Sequence, residues 1–245
     1  MFRRFEMVDE RIIILGNIFK VDRQAGVFKS VGAKKYTFSI SLWKTQNELA
    51  FARFDRDNGR LFPDCMATAN SKQYEQVALP SEFLAPHFKG NEEYAKEMNR
   101  KSYAHNWGVL FFDKAIADRL AEKLPSVAID GLPYMVDWKK KKLIQVGHPK
   151  RVVDLGLLTT VDGGASYEGY LHKPSGKVLG RDVKRSIIFL PETVFIRIPS
   201  GFKLDPIGVA RELGLSEVSL LHHYPIMEEV MEVVCKDNKR QSPVR

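Results

Sequence analysis

Hydrophobic and polar positions alternate with a period of two along much of the first 80 residues. Tyr36, Phe38, Ile40 and Leu42 interleave with Thr37, Ser39 and Ser41, which predicts a strand with one apolar face. Residues 12–15 form a continuous apolar run rich in β-branched side chains and predict a strand buried on both faces. Residues 49–54 predict a further strand, closed by the turn signal Asp57-Asn58-Gly59. Helical spacing then takes over. Asn91 is placed to cap a helix reaching about His105, with Tyr94, Met98 and His105 on one stripe. Residues 107–112 read as a strand or a buried connection. Asp113 caps a second helix, in which Ile116, Leu120 and Leu124 recur every four residues until Pro125 stops it.

Strand patterning returns at 127–129. Asp130-Gly131 is a hairpin turn, and Tyr134, Val136 and Trp138 alternate beyond it, with Pro133 predicting an edge or a bulge. Lys139, Lys140, Lys141 and Lys142 fit the next reversal, before an apolar run at 143–146. Residues 167–172 and 177–179 flank Lys173-Pro174-Ser175-Gly176, another hairpin, and Val194, Ile196 and Ile198 alternate up to Pro199. Residues 226–234 suit a strand by β-branching and a helix by the spacing of Ile226, Val230 and Val233. The pattern as a whole predicts an α+β fold, predominantly antiparallel strands and hairpins with about four short helices. No internal repeat or low-complexity linker stands out. The change of period between Pro80 and Asn91 divides the chain into a β-rich lobe (1–85), an α+β lobe (86–235) and a basic tail (236–245). A single continuous domain fits the same pattern.

Composition narrows the class. The chain has 245 residues, 44% hydrophobic and 28% charged, so it can bury a core without disulfides or metals. Cys65 and Cys235 are far apart and lack a CxxC partner, which points to reduced thiols and a cytoplasmic setting. The apolar run after Glu6, Asp9 and Glu10 is too short for a signal peptide, and no window has the length of a membrane helix, so no membrane partner is expected. The net charge of +8 is uneven. Lys139, Lys140, Lys141, Lys142, Lys150 and Arg151 fall in a stretch without an acid, and Lys236, Lys239, Arg240 and Arg245 crowd the C-terminus. Clustered cations attract polyanions by releasing counterions.

Four kinds of candidate chemistry follow. Residues 205–225 have helix-turn-helix spacing, with Ala210 small, Gly214 suited to a left-handed turn, and Ser216 able to cap a second helix. That second helix would carry Glu217 and no Arg, Lys, Asn or Gln to read bases, which favours a structural αα-hairpin. Trp138 with its four lysines could stack a base and neutralise phosphates, against the alternative of a solvated turn guarding an edge strand. His222 and His223 are adjacent, His87, His105, His148 and His172 stand alone, and His105 reads as a hydrogen-bonded core residue. None has metal-ligand spacing. No nucleophile elbow, phosphate loop or dinucleotide fingerprint is present, Cys65 has no local base, and Asp55 and Asp57 read as turn residues. No catalytic, metal or cofactor-binding residue is assigned, and no cofactor is expected.

The segments KEMNRKSYAHNWGVLFFDKAIADRL, IDGLPYMVDW and LDPIGVARELGL resemble a group of proteins from gut-dwelling bacteria to which no activity is attached. The resemblance covers residues 96–138 and 204–225. It implies a bacterial cytoplasmic setting and a structural role for LDPIGVARELGL. The leading expectation is a non-enzymatic interaction module whose contacts are Trp138, Lys139, Lys140, Lys141, Lys142, Lys150, Arg151, Lys239 and Arg240. The alternatives are a nucleic-acid-binding accessory protein using the same basic surface, and an enzyme of unknown class.

Overall fold

The computed structural model describes residues 10–32, 36–55, 58–62, 74–179, 192–226 and 231–237, the last by backbone alone. Asp57, Cys65, Lys239 and Arg240 therefore lie outside the described residues, and only the backbone is described at Cys235 and Lys236. The fold is α+β, with mostly antiparallel sheets and, among the described residues, four α-helices. None of these is long and apolar enough to cross a membrane. The chain forms two compact units. Unit 1 is Met1–Leu120 with Gly214–Pro225, and unit 2 is Ala121–Leu213 with Ile226–Arg245.

Unit 1 opens with a meander of β1 (Arg11–Ile14), β2 (Asn17–Asp22), β3 (Val27–Ser30) and β4 (Thr37–Ser39). A second sheet holds β5 (Lys44–Gln46), β6 (Leu49–Asp55), β7 (Arg60–Phe62) and β8 (Tyr74–Pro80). Helix α1 (Glu92–His105), strand β9 (Val109–Phe111) and helix α2 (Lys114–Leu120) follow, and β9 pairs antiparallel with β1. The main core gathers Ile12, Phe19, Phe28, Phe54, Leu79 and Phe111. Asn91 and Asp113 cap α1 and α2 as predicted, accepting from Tyr94 N and Ile116 N, each at 2.8 Å.

Unit 2 repeats the meander with β10 (Ser126–Ile129), β11 (Leu132–Asp137), β12 (Lys142–Gln145) and β13 (Val152–Asp154). Then come β14 (Thr159–Val161), β15 (Ser166–His172), β16 (Lys177–Leu179) and β17 (Thr193–Pro199). Helices α3 (Gly201–Leu204) and α4 (Pro206–Glu212) precede β18 (Met231–Asp237). β18 lies between β10, to which it is parallel, and β17, to which it is antiparallel, and so joins the strands into one nine-stranded sheet.

The two units are built on one plan. From β1 to β5 and from β10 to β14, each described residue of unit 1 has its counterpart 115 positions later. Asp22↔Val27 corresponds to Asp137↔Lys142, and Val27↔Ser39 to Lys142↔Asp154. The register is also the same in the seven-residue ladders, where Leu49 faces Pro80 and Ser166 faces Pro199. Backbone bonds outside the ladders repeat too: Val21 N to Glu10 O matches Val136 N to Pro125 O, and Ile40 N to Gly26 O matches Leu155 N to Lys141 O. Positive φ recurs at the same places, at Leu15-Gly16 and Asp130-Gly131, at Gly26 and Lys141, and at Gly59 and Gly176. Asp22 and Asp137 make the same turn, accepting from Ala25 N and Lys140 N. The expectation of no internal repeat is thereby corrected: the sequence keeps the repeat sparsely, at Gly16 and Gly131, Val21-Asp22 and Val136-Asp137, and Val31-Gly32 and Val146-Gly147, where turn geometry sets the register.

Several expectations are corrected. The strand expected over 36–42 stops at Ser39, whose hydroxyl accepts from Ser41 N and starts a 3-10 turn over Ile40–Leu42. Asp154 does the same work in unit 2 through Gly156 N. Helix α2 ends at Leu120, because Glu122 turns left-handed at φ 65°, and Leu124 is exposed. Pro133 lies in an inner strand, at the end of its pairing with β12; its carbonyl accepts from Val146 N at 2.9 Å, and its missing N–H costs one bond at the end of the ladder, not in its middle. Within the ambiguous stretch 226–234, the residues from Met231 on form a strand, which runs to Asp237 and so takes in the first two residues of the expected tail.

Candidate functional site

The lysine reversal is built around a buried indole. Trp138 is 7% exposed and packs against the Cα of Gly201, where a Cβ would overlap its ring. Its Nε1 donates to Glu212 Oε2 at 2.6 Å. Lys141 Nζ donates to the same oxygen at 2.5 Å and lies 3.4 Å from the ring centroid. These hydrogen bonds, from Lys141 first and then from Trp138, hold the Glu212 carboxyl below its usual range although burial opposes them. Lys140 bonds Asp137 at 2.9 Å. Trp138 therefore offers no free face to a base, and two of the four lysines are matched by acids. Lys139 stays exposed and Lys142 half-buried.

The structure places Lys150 and Arg151 at the opposite end of β12 from that reversal. Arg151 Nη2 donates to Pro174 O at 3.3 Å, which brings this turn beside the 173–176 hairpin. Lys150 and Lys177 are exposed there, and Lys173 pairs with Asp130 at 2.5 Å. The cations read from the sequence as one surface are thus two groups.

The second helix expected over 216–224 is missing, so neither the helix-turn-helix nor the favoured structural αα-hairpin forms. Asp205 caps α4 through Gly208 N at 2.9 Å, and Gly214 takes the expected left-handed turn at φ 68°. Beyond it, Ser219 N to Ser216 O and Leu221 N to Val218 O are turn bonds, and no helix forms. This segment, Gly214–Pro225, belongs to unit 1, whereas α4 belongs to unit 2. Ser216 Oγ donates to Gly16 O, and a Cβ on Gly16 would lie 2.7 Å from Ser219 Cα. Tyr103 Oη donates to Leu221 O at 2.5 Å. Val218 and Leu221 are buried, as are Ile13 and Leu110, which point away from the main core.

Among the described residues, no three His, Cys, Asp or Glu side chains gather to hold a metal. His105 is exposed and stacks on Trp107 at 6.0 Å, contrary to the core role expected for it; the buried stripe of α1 is Ala95, Met98, Asn99 and Ser102. The His222 and His223 rings are 3.8 Å apart. Unit 1 has an open cleft of about 510 Å³ between Glu48, Glu82, Met98 and Trp107, also lined by Lys101, which is 3.6 Å from Glu97.

Comparison of the units exposes a feature that pattern reading missed. On the outer face of the unit 1 meander, Lys20 and Lys29 stand side by side across β2 and β3, both exposed, and Lys29 pairs with Asp22 at 2.8 Å. The counterparts in unit 2 are Met135 and Ile144, partners across β11 and β12. Met135 is 37% exposed. Val146, at the end of this row, is 46% exposed, but its counterpart Val31 in unit 1 is likewise exposed at 49%, so the contrast lies at Met135 and Ile144. Pro133 is exposed, and Ile144 and Val152 are half-buried. Lys142 and Lys150 stand at the two ends of the row, with no ion pair to either among the described residues. The recurring pairs Leu15-Gly16 with Asp130-Gly131, Asp22 with Asp137, and Val31-Gly32 with Val146-Gly147 are the signal in the sequence that could have led here.

No protein-family model matches the chain, and no characterised protein or solved structure shows significant similarity to it.

Proposed function

We propose that this protein is a non-enzymatic interaction module, of bacterial and cytoplasmic setting, whose contact surface is the outer face of the β10–β13 meander. One observation carries the reading: the outer face of unit 2 carries exposed Met135 and half-buried Ile144 where the same fold in unit 1 carries exposed Lys20 and Lys29. Unit 1 serves as an internal control for what the face needs in order to be soluble. Apolar side chains retained there against that need mark a surface that another molecule covers.

The test transplants unit 1's own residues. In M135K/I144K the face is charged as in unit 1, so thermal stability should change little. A partner that co-purifies with the wild-type chain and is lost with the variant supports the reading. The same set of co-purifying proteins for both, at equal melting temperatures, sinks it.

Nucleic acid is the second reading, favoured by the exposed Lys150 and Lys177 brought together at one end of unit 2. Fluorescence anisotropy with single-stranded and duplex DNA and RNA between roughly 50 and 200 mM salt separates it. A slope of log K on log salt of about −0.9 per duplex phosphate contacted would be its signature.

A further inference from the structure

We infer that the β10–β13 face receives a segment of a partner protein that combines apolar side chains with net negative charge. This rests on the reading of that face as a contact surface and adds the chemistry of its occupant. Unit 1 supplies the precedent for an apolar cover. On its meander, Ile13 and Leu110 face away from the main core and are nonetheless buried, and the turn-rich segment Gly214–Pro225 lies on the β1–β2 turn with Val218 and Leu221 buried. Ala128, the counterpart of Ile13, is only half-buried, and nothing lies within 4 Å of a Cβ built on Gly131, the counterpart of Gly16. Among the described residues, unit 2 has the meander without such a cover.

Charge selects the occupant. The row Lys142, Ile144, Val146 runs along one side of β12 and beyond its end, with Lys150 following in the turn. Lys142 stands opposite Asp137 on one side and Asp154 on the other, but Asp137 pairs with Lys140 and Asp154 Oδ1 accepts from Gly156 N at 3.0 Å, so neither forms an ion pair with Lys142 among the described residues. A second copy of this chain would bring like charge against the rim, since the chain carries +8 and the matching face of unit 1 carries Lys20 and Lys29. Nucleic acid would satisfy the lysines and leave Met135, Ile144 and Val146 against phosphates. An acidic segment with apolar side chains satisfies both parts of the surface.

The experiment uses the full chain and a fluorescein-labelled peptide of alternating Glu and Leu, with a Lys–Leu peptide, poly-L-glutamate and oligo-dT as comparators. The Glu–Leu peptide should bind most tightly. M135K/I144K should weaken it at least about tenfold, and K142E/K150E should weaken it by a similar factor that shrinks at high salt. Poly-L-glutamate should bind weakly and be indifferent to M135K/I144K. Equal binding of the Lys–Leu peptide would overturn the acidic class while leaving the contact surface standing. Oligo-dT binding as tight as the peptide, lost in K142E/K150E, would overturn it in favour of nucleic acid. A dimer in sedimentation that M135K/I144K dissociates would overturn it in favour of a second copy. Peptide binding unchanged by M135K/I144K would overturn both the inference and the surface it rests on.

Discussion

Unit 1 and unit 2 share their ladders and differ in how each is finished. In unit 1 the closing strand β9 pairs with β1, and α1 supplies the rest. Asn99 Nδ2 donates to Phe111 O at 3.0 Å and to Asp113 at 2.8 Å, its Oδ1 accepts from Phe111 N at 2.7 Å, and Ser102 Oγ bonds Val109 O. A side-chain amide thus stands in for a strand neighbour. In unit 2, β18 has strands on both sides and takes its partners from the backbone. The lesson is that one meander tolerates either polarity of closing strand, provided the buried N–H and C=O groups find partners.

The plug beside the Asx turn differs as well. Arg23 of unit 1 and Trp138 of unit 2 are counterparts. The guanidinium lies 4.8 Å from the Phe83 ring centroid and 5.2 Å from that of Phe88, whereas the indole packs on Gly201 and bonds Glu212. Trp138→Ala should produce the largest loss among the changes considered, about 3–5 kcal/mol by cavity formation. Arg23→Ala should cost about 1–2 kcal/mol in stacking and packing. Urea unfolding checks both, and a Trp138→Ala variant no less stable than Arg23→Ala would show that the indole is no part of the core.

Asn99→Ala comes next, at roughly 2–3 kcal/mol, because it strands the buried N–H and C=O of Phe111. Hydrogen exchange should show lost protection at β9 and none lost at β18. Equal loss in both would break the contrast in how the two units close. The hairpin glycines should separate by a smaller margin. Gly131→Ala meets open space and bears only the left-handed strain at φ 73°, about 1–2 kcal/mol. Gly16→Ala, at φ 81° and against Ser219, should cost about 1–3 kcal/mol more. Identical melting temperatures for the two would mean that Gly214–Pro225 does not bear on the β1–β2 turn.

The smallest effect sharpens the likeness instead. Asp22 is held below the ordinary aspartate value of 3.8 by the Lys29 and Ala25 hydrogen bonds. Burial raises Asp137, but bonds from the Lys140 side chain and backbone outweigh it, and it too is lowered. A depressed folded value gives stability that is present above pH 3.8 and lost as pH falls through the folded value. Asp22→Asn and Asp137→Asn should therefore both lower the melting temperature at neutral pH, and the deficit should close in acid. A deficit that persists in acid would place the effect outside these carboxylates.

Much of the local structure was legible because its causes are local. The caps Asn91 and Asp113, the turns at Asp130-Gly131 and Lys173-Pro174-Ser175-Gly176, and the strands around Ile12, Val127 and Ile196 each follow from neighbours in the chain. The candidate face was not legible. Met135 falls between the alternating Tyr134 and Val136, and Ile144 in the apolar run 143–146; such patterns mark strands and do not say which face a layer covers. Trp138 and its lysines were conspicuous, yet their partner Glu212 is 74 residues from Trp138 in the sequence.

The sequence by itself determined the α+β class, the antiparallel hairpins and most helix starts, because apolar periodicity, caps and left-handed turns act within a few residues. Only the tertiary structure decided that the chain uses one meander twice, that Gly214–Pro225 belongs to unit 1, and that no described residue covers a row of apolar side chains in unit 2. Those outcomes depend on which strands share backbone hydrogen bonds and which faces are buried. Contacts between residues far apart in the chain set both, and side-chain order leaves them open.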